Sequence, residues 1–144
     1  PLLQSSAASD VYKRQGQLIR EIIEELSIDE YFITNVVRCY PEKNLPLTAE
    51  KNNCQVHNFH ELSRLQNLKV IIALGEVAYR QIIKLYDIKY NNHKFKHGNV
   101  LKLNNKIKLI SSYHCSKLNI NTHKINKGML KKIFLRAIKL SYYG

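Results

Sequence analysis

The chain has 144 residues, 44% of them hydrophobic, and a formal net charge of +12, which is the size of one ordinary domain with a real core. Its longest purely apolar stretch, Val70 to Leu74, is far too short to span a bilayer. No basic segment followed by an apolar one opens the chain, so neither membrane insertion nor export is expected and the cytoplasm is the expected compartment.

The first fifteen residues, "PLLQSSAASDVYKRQ", carry no sustained periodicity, and "SAASDVYKRQ" looks like translated sequencing-adaptor sequence. Residues 1–15 are therefore set apart from fold reasoning, and a single domain is expected over 16–144, as a fragment whose true beginning is missing. From Gly16 the pattern is regular. Leu18, Ile19, Ile22, Ile23 and Leu26 form an apolar helical stripe with Glu24 and Glu25 on the wet side. "YFITNVV" (31–37) reads as a buried strand, and the two prolines of "CYPEKNLPLT" mark a loop. Thr48 is a fair N-cap for a helix running to about Asn67. "LKVIIALG" followed at once by "EVAYRQIIKLY" has the strand–glycine–helix order of a βα unit. "NVLKL" and "KIKLISSY" are two further strands around "NN", either a tight hairpin or a short connection. Met129, Leu130, Ile133, Phe134, Ala137 and Ile138 then line one face of a C-terminal amphipathic helix.

This order predicts an α/β fold, a three-layer α/β/α arrangement around a small, mostly parallel four-stranded sheet. Ligands of such sheets bind at the carboxyl ends of the strands. Three polar motifs fall there: Asn35 with Cys39, Gly75, and His114 onward.

Charge is uneven along the chain. Residues 1–83 hold nine Lys or Arg against ten Asp or Glu, whereas residues 84–144 hold fourteen against Asp87 alone. A one-sided basic surface suits a polyanion, because each phosphate contact releases condensed counterions. Solubility, or the Lys/Asn/Ile drift of an AT-rich genome, would leave the same composition. Three cysteines without an export signal do not suggest a disulfide framework, and metal binding, catalysis and packing stay open for them. Cys39 and Cys54, with Pro41 and Pro46 between them, would make at most a two-thiolate half-site. Cys115 reads as packing.

Four segments in order, "ITNVVRCYPEKNLPLTAEKNNC", "VIIALGEVA", "HKFKHGN" and "SYHCSKLNINTHK", resemble the iron–sulfur branches of the uracil-DNA glycosylase superfamily. The form of the last segment and the "HGN" before it resemble family five (type b) more than family four (type a). His123 stands where the type-b pattern has a glycine, so the loop there departs from the family's.

The resemblance implies excision of uracil or another deaminated base from DNA by hydrolysis of the N-glycosidic bond after base flipping, by a monomer. Such cleavage drives negative charge onto the departing base, and a positioned imidazole at a base carbonyl is worth more in the transition state than before it. The resemblance gives that catalytic role to His114. Asn35 would read the O4 and N3–H edge of uracil, since a carboxamide both donates and accepts, and Gly75 would line the same substrate site. Ser116 and Asn119 would hold backbone phosphate, and the segment through Lys117 would lie at the minor groove with Leu118 or Ile120 as an apolar wedge.

Cys39 and Cys54 would be two of the four ligands of a structural 4Fe–4S cluster. The N-terminal cysteine pair and the glycine-rich motif that positions water are absent from this chain, so it is expected to bind DNA but cleave poorly alone. Each residue also has a local use: His114 satisfied by backbone, Asn35 as a turn former, 116–122 as a polar loop. The alternative function is a non-catalytic basic module that binds nucleic acid.

Overall fold

A computed structural model describes residues 2–5, 9–35, 65–114 and 125–143. Within them the chain runs β1 (Leu2–Ser5), α1 (Ser9–Glu25), β2 (Phe32–Asn35), β3 (Val70–Leu74), α2 (Glu76–Leu85), a 3₁₀ turn (Tyr90–Asn92), β4 (Val100–Lys102), β5 (Lys108–Ser112) and α3 (Lys127–Tyr143). The strands form one sheet in the order β2-β1-β3-β5-β4. All neighbours are parallel except β4 and β5, which are antiparallel.

The three-layer α/β/α architecture is as expected, and its cause is visible in β3. All five residues of this strand are buried. Successive side chains point to opposite faces, so a strand covered on both sides must be apolar throughout. Val70, Ile72 and Leu74, with Ile110 of β5, pack against Ile19, Ile22 and Ile23 of α1 and Leu130, Ile133, Phe134 and Ala137 of α3. Ile71 and Ala73, with Leu109, pack on the other face against Ala78, Tyr79, Ile82 and Ile83 of α2. Among the described residues no helix is long and apolar enough to cross a membrane.

The sheet has five strands where four were expected. The additional one is Leu2–Ser5, inside the segment set apart, and it lies between β2 and β3 through the pairs Leu3↔Ile33 and Leu3↔Ile72. A four-residue strand offers only two positions to each face, too few for alternation to show in sequence. Helix α1 likewise begins at Ser9 rather than near Gly16; "SDVYKRQ" has no apolar stripe to announce its first two turns. The helix expected from Thr48 lies outside the described residues apart from its end, where Gln66 and Asn67 form a turn.

The β4–β5 connection spans five residues rather than the two of a tight hairpin. Leu103 N–H bonds to the Ile107 carbonyl at 2.9 Å, and the Asn104 side-chain oxygen accepts from the amides of Lys106 and Ile107 at 2.8 and 2.7 Å. This is the local turn chemistry for which asparagine is favoured. At the start of α3, Asn126 caps the helix by accepting the Met129 N–H at 2.8 Å.

On the surface, Lys127 bonds to Glu25, and Lys131 lies 3.2 Å from the same carboxylate, so α3 is tied to α1. The hydrogen bond from Lys127, then that from Lys131, holds the Glu25 carboxyl below the usual carboxylate range. All three groups are solvent-exposed, so the tie orients the helices more than it stabilises them.

Gly16 sits within α1, and a Cβ built there would meet nothing within 4 Å. Gly16→Ala is expected to stabilise the chain by about 0.5–1 kcal/mol through helix propensity alone, read as a higher urea midpoint with an unchanged slope.

Candidate functional site

Parallel pairing brings the carboxyl ends of β2, β1, β3 and β5 to one rim. Asn35, the last residue of β2, is paired with Ser5, and Leu74, the last of β3, is paired with Ser112 of β5. Gly75 and His114 follow these two strand ends. The three positions expected to share a rim therefore do so, with Asn35 separated from β3 by β1.

Gly75 and His114 are in close approach. The Gly75 N–H donates to the Ser112 carbonyl at 2.8 Å, and its own carbonyl accepts the Tyr79 N–H at 3.1 Å, opening the first turn of α2. Its backbone, at φ 101° and ψ 161°, lies in a region that is essentially glycine's alone. A Cβ at this position would stand 3.2 Å from Cβ of His114 and 3.4 Å from its Cδ2. The backbone conformation thus favours glycine, and an added side chain would press on the half-buried imidazole, which would have to give by a few tenths of an ångström.

The first turn of α2 carries Glu76 on its outer side. Its carboxylate accepts hydrogen bonds from the Tyr90 hydroxyl and, at 3.1 Å, from Arg80, whose guanidinium lies 3.7 Å from the Tyr90 ring centroid. The Tyr90 bond, then the Arg80 bond, holds this carboxyl below its ordinary range. Glu76 therefore stays ionised and is engaged laterally with Arg80 and Tyr90.

The segment "HKFKHGN" crosses the other flank of the rim. Because β4 runs antiparallel to β5, the residues before β4 lie beside the end of β5. Ser111 N–H bonds to the Asn99 carbonyl at 3.1 Å, Gly98 N–H bonds to the Ser111 carbonyl at 2.7 Å, and the buried Ser111 hydroxyl donates to the Lys96 carbonyl. Arg136 of α3 donates to the Gly98 carbonyl at 3.1 Å. His97 accepts the Tyr113 N–H at Nδ1, 3.0 Å away, and its ring stacks on that of Tyr113 with centroids 4.7 Å apart and planes 11° from parallel. Burial lowers its pKa from the ordinary histidine value.

Sequence reasoning assigned no role to His97. The only signal was its place in "HGN", a segment quoted for its resemblance and left without a function. Cys39, Cys54, Ser116, Lys117, Leu118, Asn119 and Ile120 lie outside the described residues. Among the described residues there is no group of three or more His, Cys, Asp or Glu placed to hold a metal.

Residues 3–138 match the family model described as the uracil DNA glycosylase superfamily. The match begins ahead of Gly16, within the segment set apart on sequence grounds. The chain is 29% identical over 118 residues to the type-5 uracil-DNA glycosylase of Thermus thermophilus, covering 82% of this chain and 54% of that protein. It is 34% identical over 106 residues to the type-5 uracil-DNA glycosylase of Pyrobaculum aerophilum, covering 74% and 45%. To the type-4 uracil-DNA glycosylase of Archaeoglobus fulgidus it is 28% identical over 105 residues, covering 69% and 52%. The chain thus spans about half the length of these relatives. A family match that runs through every strand from β2 to β5, and through both the Gly75 and the His114 motifs at their exits, places this chain in the uracil DNA glycosylase superfamily.

Proposed function

We propose that the chain carries the base-binding rim of a DNA repair glycosylase, acting as a monomer on DNA that contains uracil or another deaminated base. The close approach of His114 to Gly75 is the observation that supports it. A simple electrostatic binder needs no imidazole packed against a side-chain-free backbone at a strand exit.

In this reading the bond between the base nitrogen and the sugar C1′ breaks with its electron pair going to the base, the sugar becomes oxocarbenium-like, and water adds at C1′ with loss of a proton while the base anion takes one up. His114 donates a hydrogen bond to a carbonyl of the departing base, where the negative charge collects. The first turn of α2 adds the positive end of a helix dipole near the same place. Asn35 reads the base edge, Ser116 and Asn119 hold phosphate, and Leu118 or Ile120 fills the vacated stack.

Removing one donor to a developing anion costs roughly 10²–10³ in kcat. His114→Ala is therefore expected to lower uracil release by about that factor while leaving oligonucleotide affinity and its salt dependence in place. The assay measures release from single- and double-stranded oligonucleotides by the 144-residue chain and by the longest reading frame that contains it. Release unaffected by His114→Ala in both would remove His114 from the chemistry. Salt-sensitive binding without release in both would favour the non-catalytic module.

Gly75→Ala tests the rim itself. Forcing an L side chain into this backbone region is expected to destabilise the chain by about 1–3 kcal/mol and to shift the His114 ring resonances. A neutral effect on both would show that the close approach is unimportant.

A 4Fe–4S cluster takes four thiolates in its usual form, of which Cys39 and Cys54 would supply two. The longest reading frame, purified without oxygen, is expected to contain iron and a broad visible absorbance, both lost in Cys39→Ser. A colourless, iron-free protein would overturn this part of the proposal.

A further inference from the structure

We propose that His97 is a positioning residue for His114, acting as a neutral imidazole whose bare Nδ1 pins the main chain of Tyr113. The inference rests on reading His114 as the donor to the departing base, and it deepens that reading.

The end of β5 is held by a ladder of main-chain hydrogen bonds. Its amides alternate between neighbours: Ser111 N–H points to the β4 side and meets Asn99, and Tyr113 N–H points to that side again. On the β3 side the ladder closes with the Gly75 N–H on the Ser112 carbonyl. By position 113 the arch formed by residues 93–99 ahead of β4 has turned at Gly98, whose φ is +81°, so Tyr113 N–H meets an imidazole where an uninterrupted strand would present a carbonyl. A half-buried amide without an acceptor is costly, and Nδ1 of His97 takes the carbonyl's place at 3.0 Å.

A carbonyl can only accept, whereas an imidazole nitrogen accepts only when it carries no proton. The bond therefore specifies the tautomer protonated at Nε2. The lowered pKa of His97, caused by burial, favours the same neutral form. Ring stacking adds a second hold on the same residue, since the Tyr113 ring lies on the imidazole that binds its amide. The chain is thus fixed one residue before His114, and Gly75 meets His114 from the other side.

Phe95, whose ring centroid is 6.1 Å from that of Tyr113, keeps the arch packed even where the imidazole is removed. Loss of His97 should therefore loosen the exit of β5 without dismantling the sheet.

The test combines a spectroscopic and a kinetic arm. In the 144-residue chain, nitrogen-15 shifts of His97 are expected to show Nδ1 bare and Nε2 protonated. His97→Ala should move the Tyr113 amide and the His114 ring resonances, while His97→Asn, whose side-chain oxygen can accept the same N–H, should return them toward their original places. In whichever of the two chains releases uracil, His97→Ala should lower kcat about tenfold to a hundredfold, the range expected when a catalytic group is slightly misplaced, with little change in KM and with partial rescue by His97→Asn. A proton on Nδ1 in the unaltered chain, or His114 resonances indifferent to His97→Ala, would overturn the inference. So would a His97→Ala loss that appears in KM alone. If neither chain releases uracil yet the resonances respond as described, the positioning stands and the glycosylase reading falls.

Discussion

Parallel pairing of β3 with β5 over five positions, from Val70↔Lys108 to Leu74↔Ser112, is the constraint on which the rim depends. The register is enforced from both faces, because each strand buries alternate residues against a different helical layer. A slip of one residue would turn Ile110 and Leu109 to the wrong faces together, a change no buried strand tolerates. The same register delivers the Ser112 carbonyl to the Gly75 amide. Core packing thus sets the approach of Gly75 to His114.

Charge on this protein is less uniform in use than in count. Of the basic surplus in residues 84–144, Lys127 and Lys131 are turned toward the acidic side of α1, and Lys127 also lies 3.6 Å from Glu21. Arg80 is likewise occupied by Glu76 and the Tyr90 ring. The exposed Lys94 and Lys96 belong instead to the arch that flanks the exit of β5. If phosphate binds at the rim, those two lie at its border, and the net charge of +12 overstates what a polyanion would meet there. Counterion release scales with the phosphates contacted rather than with total charge.

Legibility in sequence followed the length and regularity of each element. β3 and α2 were readable because a five-residue apolar run ends at a glycine and passes at once into a helical stripe. α3 was readable from four buried positions at helical spacing. β1 was not, since its place comes from two neighbours far along the chain and leaves no pattern of its own. The rim was partly readable: the parallel order put Asn35, Gly75 and His114 at one edge, and Gly75 carried a recognisable strand-to-helix signature. His97 was hidden because its partner is a main-chain amide. Any residue at position 113 offers that amide, and the ring stacking of His97 on Tyr113 joins residues sixteen apart with no periodic pattern to announce it.

A donor helps a charge-separating reaction only if it is already aimed when the charge appears, because reorganisation at that moment would consume the benefit. His114 lies two residues past the end of β5, beyond the regular strand pairing. The surrounding elements bound it on both sides. β3 presents the bare backbone of Gly75 on one side, the arch before β4 presents His97 on the other, and α3 holds that arch through Arg136 and the Gly98 carbonyl. Ser111 and Ser112, both fully buried, spend their hydroxyls on carbonyls of the arch and of Tyr113, so neither of these hydroxyls is left to pull the exit toward another partner. The polar character of this strand end therefore serves rigidity first, and the chemistry proposed for His114 depends on it.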